Sequence, residues 1–404
     1  MEWKEVTLGE ISSKIGDGLH GTPKYDDEGP YYFINGNNLN CGKIIIKDDT
    51  KRVGKDEFVK NQKELNEQTI LVSINGTIGN VAKYNNELCI LGKSACYINV
   101  IKEVDKEFIY YVLTSANFKR NITNEATGTT IKNVSLKQMR EYKFNIPCNI
   151  SDQRRIASIL SSLDWKIELN NKINADLEEM AQAIFKNWFV DFEPFKDGKF
   201  VDSELGMIPE GWKVGCLGDM GNIVCGKTPS KTNSNYYGGD IPFIKIPDMH
   251  GNVFVESSED RLTELGSLSQ IKKLILPYSL MVSCIATVGL VSINTKPSHT
   301  NQQINTVIPH NKSALFYLYQ HMKNNEEFLK NMGRGGTTTL NVNTRSFSNI
   351  RLLIPSEIAL EQFHRVVEGL FKKIELNLHE SRTLSTLRDT LLPRLMSGEL
   401  EVPE

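Results

Sequence analysis

The pattern of hydrophobic and polar positions divides the chain into two kinds of segment. In the first kind, short aliphatic runs such as 70–74 and 274–276 alternate with clusters of Gly and Asn. These runs predict strands joined by turns. In the second kind, apolar residues recur every three or four positions, which predicts amphipathic helices. One such stripe extends from Ile156 to Trp188 and the other from Val367 to Leu391.

The same blocks of residues occur twice, in the same order and at a nearly constant separation. The matching blocks include Trp3, Leu8 and Gly9 with Trp212, Leu217 and Gly218; 77–79 with 287–289; 128–130 with 336–338; and 167–170 with 374–377. Matches in one order with one offset indicate a tandem duplication of a unit of about 200 residues. A chain of 404 residues is also too long to fold around one ordinary hydrophobic core, so two or more domains are expected.

Each repeat predicts a β-rich domain followed by a long helix. The expected boundaries are a first domain at 1–147, a central helix at 148–193, a linker at 194–210, a second domain at 211–355 and a C-terminal helix at 356–404. A helix of about 35 residues is about 50 Å long, which is more than one small domain needs. The two helices are therefore expected to pair with each other.

Two features of the helical stripes leave alternatives open. Asn170 and Asn377 occupy equivalent positions, where they are either buried and fix the register of a helix pair or lie solvated at its edge. Trp188 and Phe189 begin an aromatic segment at the end of the first helix. These rings either pack in a core or form a contact surface for a partner protein.

Charge is unevenly distributed along the chain. Residues 1–147 have a net charge of +1, residues 211–355 of +5, and the remaining, mostly helical segments of −8, within an overall −2. A basic second domain is compatible with phosphate contacts, because the local field matters more than the total.

Cysteine usage and hydropathy indicate the compartment. The seven cysteines are scattered without a Cys-x-x-Cys pair, which is typical of reduced thiols in a cytoplasm and argues against zinc. No apolar run is long enough to span a membrane, so no membrane partner is expected.

Motifs of catalysis are missing from the sequence. There is no Pro-Pro dipeptide for an adenine methyltransferase motif and no P-loop, and the Gly-rich stretch 333–336 does not join a strand to a helix. Asp248 and Glu256 begin a nuclease-like pattern, but no lysine follows Glu256 closely. We therefore expect no catalytic residues and no metal ligands.

The chain as a whole resembles the specificity subunits of type I restriction-modification enzymes. The resemblance rests on the duplicated Trp-x4-Leu-Gly, Thr-(Ile/Val)-Gly and Gly-Thr-Thr blocks, the run 301–305, and the helix ends 184–189 and 391–400. One departure is the stretch 92–97, which stands where the second copy has 301–305.

The resemblance implies an α+β fold in which two tandemly repeated α/β target-recognition domains are joined by two long antiparallel helices that form a coiled-coil spacer with pseudo-twofold symmetry. Each domain is then expected to read one half of a bipartite, asymmetric site in double-stranded DNA. The implied partners are two methyltransferase subunits and restriction (translocase) subunits. Those partners use S-adenosylmethionine, ATP and Mg²⁺, whereas this chain binds no cofactor.

Base reading requires amide, cationic and hydroxyl side chains on loops. In the first domain the candidates for DNA contact are His20, Thr22, Lys24, Asn37, Asn38, Asn75, Thr129, Thr130 and Lys132. In the second domain they are Lys227, Thr228, Lys231, Tyr236, Lys245, Arg334, Thr337, Thr338 and Arg345. For each residue the alternative is an ordinary turn or surface position.

Three hypotheses for function remain open at this point. The first is a DNA-binding adaptor without chemistry of its own. The second is a divergent nuclease or methyltransferase with its own active site, for which Asp248 is the residue to test. The third is an assembly protein whose domains bind protein, which salt-dependent binding to duplex DNA would exclude.

Overall fold

The computed structural model describes residues 1–126, 132–334 and 340–402, and the chain forms two compact units. Unit 1 consists of Met1–Ile167 with Thr383–Glu404, and unit 2 consists of Glu168–Arg382. These boundaries lie inside the two long helices, so that each helix contributes one part to each unit.

The described part of unit 1 contains strands and helices in the following order along the chain. They are β1 (Trp3–Thr7), β2 (Ser12–Asp17), β3 (Tyr31–Ile34), β4 (Leu39–Asn40), β5 (Lys43–Ile44), β6 (Arg52–Val53), α1 (Lys55–Asn61), β7 (Thr69–Ser73), β8 (Val81–Lys83), β9 (Cys89–Leu91), β10 (Ala95–Val100), α2 (Lys106–Thr114), α3 (Ala116–Glu125), α4 (Leu136–Glu141), β11 (Lys143–Pro147) and the start of α5 (Ile150–Phe189).

Unit 2 contains the rest of α5 and the elements that follow it. They are β12 (Phe200–Val201), β13 (Ile208–Pro209), β14 (Lys213–Cys216), α6 (Leu217–Met220), β15 (Gly221–Cys225), β16 (Tyr237–Ile244), α7 (Ile246–Met249), β17 (Phe254–Val255), β18 (Arg261–Leu262), α8 (Glu264–Leu268), β19 (Leu280–Ser283), β20 (Val291–Asn294), β21 (His299–Thr300), β22 (Ile304–Pro309), α9 (Leu315–Asn324), α10 (Glu326–Gly333), α11 (Thr344–Ser348), β23 (Arg351–Ile354) and most of α12 (Glu357–Met396).

The two units have the same sheet topology, which confirms the duplication. Unit 1 has an antiparallel sheet in the order β2-β10-β7-β8 and a smaller sheet in the order β6-β3-β9. Unit 2 has the corresponding orders β15-β22-β19-β20, extended by β17, and β18-β16-β21. In both smaller sheets the middle strand pairs with one neighbour in parallel and with the other antiparallel. The two repeats thus form two similar mixed α/β domains, as the family resemblance implied.

Burial explains why the strand patterns are continuous rather than alternating. All five residues of β7 and all four of β19 are buried, since one sheet face packs on α2 or α9 and the other on the smaller sheet. The predicted strand at 274–276 is wrong. Within it, only Ile275 forms an isolated bridge, because Pro277 has no backbone donor to continue a ladder.

The long helices pair antiparallel within each unit, which confirms the predicted helix pair. In unit 2, Phe185 and Phe189 of α5 contact Phe363 of α12 at ring distances of 6.3 and 4.9 Å. In unit 1, Leu160 of α5 and Leu395 of α12 belong to one buried cluster. Among the described residues, no helix is long and apolar enough to cross a membrane.

The segment after α5 folds onto unit 2. Its strands β12 and β13 form an antiparallel pair, and the ring of Phe195 meets that of Trp212 at 4.8 Å. The side chain of Arg351 on β23 pairs with Glu204. The predicted linker at 194–210 is therefore a packed hairpin, held by Phe195 within it and by Trp212, which follows it.

Candidate nucleic-acid interface

Several loops of unit 1 meet at one edge of its main sheet. Asp17 at the end of β2 pairs with Cys96 at the start of β10, and Ser73 at the end of β7 pairs with Ala95. The loops that leave or enter these strand ends therefore lie together. We call them the loop edge of unit 1, which comprises 18–24, 35–38, 74–79, 92–94 and 132–133.

Unit 2 repeats this arrangement at the equivalent strand ends. Cys225 at the end of β15 pairs with Asn305 of β22, and Ser283 at the end of β19 pairs with Ile304. The loop edge of unit 2 comprises 226–231, 245–248, 284–289, 301–303 and 340–345.

A glycine at the same place in each unit brings the first loop against its neighbour. A Cβ on Gly18 would collide with the carbonyl oxygen of Leu91, and a Cβ on Gly226 with that of Asn301. The backbone N–H of Lys227 also donates to the Thr300 carbonyl at 2.9 Å. Only glycine permits this approach, so the first loop is held beside the loop that precedes β10 or β22.

A left-handed turn fixes a second loop in each unit. Gly76 and Ala286 both have positive φ angles, of 73° and 65°. Their backbone N–H groups donate to the carbonyls of Lys132 (3.2 Å) and Leu340 (3.0 Å) respectively. These bonds attach the segments after α3 and α10 to the loop edge.

Most of the candidates in unit 1 lie together on its loop edge. His20, Thr22, Lys24, Asn37 and Lys132 are exposed there. His20 Nε2 lies 2.6 Å from Asp17 Oδ2, and the half-buried Asn75 donates from Nδ2 to Asn133 Oδ1 at 3.1 Å. Thr129 and Thr130 lie outside the described residues.

The side chain of Asn38 is buried, which does not fit the proposed DNA contact. Its Oδ1 accepts from the backbone N–H of Asn35, and its Nδ2 donates to the carbonyl of Ile45 and the hydroxyl of Thr50. These bonds make it the structural closure of the turn after β3. Asp248 closes the matching turn after β16 in the same way, by accepting from the N–H of Lys245 at 2.8 Å.

The candidates in unit 2 divide into three groups. Lys227, Lys231, Arg334 and Arg345 are exposed at or beside the loop edge, and the hydroxyl of Thr228 donates to Gln302 Oε1 at 2.7 Å. Thr337 and Thr338 lie outside the described residues.

Two candidates in unit 2 are less suited to contact DNA. Tyr236 precedes β16, at the strand end opposite the loop edge, where its carbonyl accepts from the N–H of Thr263. The sequence could not show this, because β16 is eight residues long and carries the chain away from the edge. Lys245 forms an ion pair with Asp260, which neutralises its charge.

Among the described residues, several exposed cations of the loop edges form no ion pair. Within the described part of the chain, Lys24, Lys132, Lys227 and Lys231 form no ion pair, whereas other lysines do, such as Lys83 with Glu107 at 2.8 Å. On an exposed loop edge, an ammonium group without an ion-pair partner is suited to bind phosphate oxygens.

Sequence reasoning missed four exposed residues on the loop edges. Thr77 and Thr287 are equivalent and follow the left-handed turns, and Lys93 and Gln302 are equivalent and precede β10 and β22. The two threonines stand inside repeated blocks, which was a usable signal. Lys93 and Gln302 differ between the copies, so their correspondence emerges only from the strand pairing.

The structure buries the two helix asparagines in unit 2. Asn170 Nδ2 donates to Glu380 Oε2 at 2.8 Å and Ser381 Oγ at 3.2 Å, and Asn377 Nδ2 donates to Asn174 Oδ1 at 2.8 Å. Both side chains are almost fully inaccessible. Of the two alternatives, the structure therefore supports a buried polar layer in the helix pair.

Phe189 is not a surface for a partner protein. It is buried against the rings of Tyr317 (4.7 Å), Phe363 (4.9 Å) and Trp212 (5.8 Å). Trp188 is half-buried beside the same cluster and meets Phe195 at 5.8 Å. Residues far along the chain cover these rings, which the local pattern did not reveal.

The nuclease-like pair has structural roles in unit 2. Asp248 accepts two backbone N–H groups, from Lys245 and Glu259, and Glu256 contacts His379 at 3.1 Å and Lys296 at 3.4 Å. The described residues contain no group of His, Cys, Asp and Glu side chains arranged to hold a metal ion.

Comparison with known proteins gives matches over nearly the whole chain. A family profile described as "Type I restriction modification DNA specificity domain" matches residues 1–179 and 209–384. The HindI specificity subunit of Haemophilus influenzae is 33% identical in an alignment of 467 positions, gaps included, which spans 99% of this chain and 100% of that protein. The MjaIX specificity subunit of Methanocaldococcus jannaschii is 29% identical, covering 95% and 87%.

A solved structure shows the same fold. The type I S subunit from M. genitalium has a TM-score of 0.59 at 18% identity and covers 98% of this chain and 96% of its own. Together with the duplicated domains and long helices, these matches establish that the chain belongs to the family of type I restriction-modification DNA specificity subunits.

Proposed function

We propose that the two loop edges read different halves of one bipartite site in double-stranded DNA. Specificity subunits of this family are the DNA-recognition components of type I restriction-modification complexes, are not catalytic, and hold no cofactor of their own.

The observation that carries the proposal is the gathering of uncompensated cations and exposed polar side chains on equivalent edges of both units. Lys24 and Lys132 occupy one edge, and Lys227 and Lys231 occupy the other. Cations and hydroxyl groups bind phosphates and position a protein on DNA, and lysine, arginine and amide side chains that reach the major groove distinguish bases.

Comparison of equivalent positions separates these two tasks. Thr77 and Thr287 are shared, which suits phosphate contacts that are independent of sequence. Lys93 stands where unit 2 has Gln302, and Lys132 where it has Leu340. Lysine favours guanine and glutamine favours adenine. Two edges with different side chains are expected to read different bases, which makes the target asymmetric.

The proposed partners follow from the need to place a methyltransferase at each half of the site. We propose two methyltransferase subunits that bind S-adenosylmethionine and methylate adenine, and restriction subunits that use ATP and Mg²⁺. All seven cysteines are free thiols, which supports assembly in the cytoplasm.

Methylation by a reconstituted complex tests the proposal. The full chain is combined with its methyltransferase partner and S-adenosylmethionine and applied to a library of duplexes. We expect methylated adenine in a motif with two defined blocks separated by undefined positions, and no methylation by the chain alone. One continuous motif, or methylation without the partner, would contradict the proposal.

A matched pair of variants assigns each block to one unit. Lys93→Gln changes the edge of unit 1, and Gln302→Lys makes the reverse change in unit 2. Each variant is expected to alter or relax one block and to leave the other unchanged. If both variants altered the same block, or neither altered any, these positions would not read bases.

A further inference from the structure

A polar contact in unit 1 connects its domain to both long helices. Asp164 of α5 accepts the hydroxyl of Tyr111 at 2.7 Å through Oδ2 and Nη1 of Arg388 at 2.7 Å through Oδ1. Arg388 of α12 also donates to its neighbour Asp389 at 2.8 Å. Tyr111 is buried, and the side chains of Asp164 and Arg388 are only 32% and 29% exposed.

The duplication shows what stands at the same place in unit 2. The two helices begin and end at equivalent residues, Ile150–Phe189 and Glu357–Met396, with one constant offset. Asp164 therefore corresponds to Phe371, and Arg388 corresponds to Ala181. Tyr111 corresponds to Tyr319, whose ring packs on Phe371 at 5.4 Å. Phe371 and Ala181 are fully buried in the core of unit 2, where Asp164 and Arg388 have apolar counterparts.

The buried asparagine layer does not distinguish the two helices. Asn170 and Asn377 correspond to each other, and Asn174 corresponds to Ser381, so each helix offers a similar set of polar groups at this level. Such a layer favours one register, but it would accept two copies of the same helix as readily as one of each.

We propose that the Asp164–Arg388 pair makes α5 pack against α12 rather than against the α5 of a second copy, and α12 pack against α5 rather than against another α12. If α5 paired with α5 of another copy in the same antiparallel register, Asp164 would face Ala181. If α12 paired with α12, Arg388 would face Phe371. Either arrangement leaves a partly buried charge without its partner, which is strongly unfavourable. This selection is independent of the bases that the loop edges read.

The test replaces the polar pair by the residues that unit 2 uses. The double variant Asp164→Phe/Arg388→Ala makes both ends of the helix pair alike. The matched control, Glu361→Ala/Arg365→Ala, removes an exposed pair within one turn of α12. Full-length chains with two different affinity tags are co-expressed, and capture of one tag is scored for the other by native mass spectrometry.

We expect the wild type and the control to show only background capture between copies. The double variant should show at least about tenfold more, because removal of the pair eliminates the penalty against identical helices. A folded double variant that captures no more than the wild type would overturn the proposal, as would equal capture by the wild type.

A complementary pair of chains decides the question even if the double variant fails to fold. Asp164→Arg places two arginines together within one chain, and Arg388→Asp places two aspartates together. Co-expression of the two variants should produce capture between copies well above that of either variant alone, since opposite charges meet only across chains. Capture that stays at the single-variant level would refute the selection by charge.

Discussion

Removal of two uncompensated lysines from the loop edge of unit 2 is expected to weaken DNA binding in a salt-dependent manner. Lys227 and Lys231 are both exposed, and within the described residues neither has an ion-pair partner. Each lysine that neutralises a phosphate contributes about 0.9 to the slope of log Kobs against log salt concentration. The variant Lys227→Ala/Lys231→Ala should therefore lower the magnitude of this slope by about 1.8.

Loss of the same two phosphate contacts also lowers the affinity at a fixed ionic strength. At about 0.15 M salt, release of one counterion contributes about 0.7 to log Kobs, so loss of two contacts weakens binding roughly 30-fold. Neither lysine is buried. Their removal should therefore leave the free energy of unfolding within about 0.5 kcal/mol of the wild type.

Fluorescence anisotropy of a labelled duplex, titrated with the complex of this chain and its methyltransferase partner, measures both quantities. Titrations at several salt concentrations between about 50 and 200 mM give the slope. The control Lys372→Ala/Lys373→Ala removes the same charge from the exposed surface of α12 in the same unit. An unchanged slope in the edge variant, or an equal reduction in the control, would refute the assignment of this edge to DNA.

Four further predictions concern single residues. Arg334→Ala should lower the salt slope by about 0.9, and an unchanged slope would remove Arg334 from the interface. Phe189→Ala should destabilise unit 2 by about 3–5 kcal/mol in urea unfolding, because this buried ring contacts three other aromatic rings. A measured destabilisation below about 1 kcal/mol would contradict its buried position. Asn38→Ala should cost about 1–3 kcal/mol by breaking buried hydrogen bonds, whereas Asn37→Ala should alter DNA binding with little loss of stability, and the reverse result would exchange their roles. Burial lowers the pKa of His299 from 6.5 to about 4, so that the unfolded state takes up the proton first as the pH falls. The free energy of unfolding should therefore fall by up to about 3 kcal/mol between pH 6.5 and pH 4. The variant His299→Gln should lack this part of the pH dependence in urea titrations.

The architecture could be predicted from the sequence because the same blocks of residues occur in both halves of the chain. The repeated blocks gave the equivalence of the two domains, and the sheets confirm it strand by strand. The helical stripes predicted α5 and α12 to within a few residues at most ends. The alternation of buried and exposed positions along a helix depends only on residues near each other in the chain, so the sequence pattern was sufficient to predict the two helices.

The site was less accessible to sequence reasoning because it depends on contacts between distant residues. Asn38 has an amide side chain of the kind that reads bases, but this side chain is buried and donates to Ile45 and Thr50. Phe189 belongs to an aromatic segment that could form an exposed patch, but Trp212 and Tyr317 cover its ring. Neither partner can be identified from the residues adjacent in the chain.

Each loop edge is expected to specify its own half of the target. Sequencing of methylated adenines in cells that express the methyltransferase with the wild-type chain, and separately with residues 227–231 exchanged for another loop of equal length, measures this directly. The account predicts two blocks of defined bases in the wild type, of which only one changes in the variant. Loss or alteration of both blocks together in a complex that still methylates DNA would contradict it.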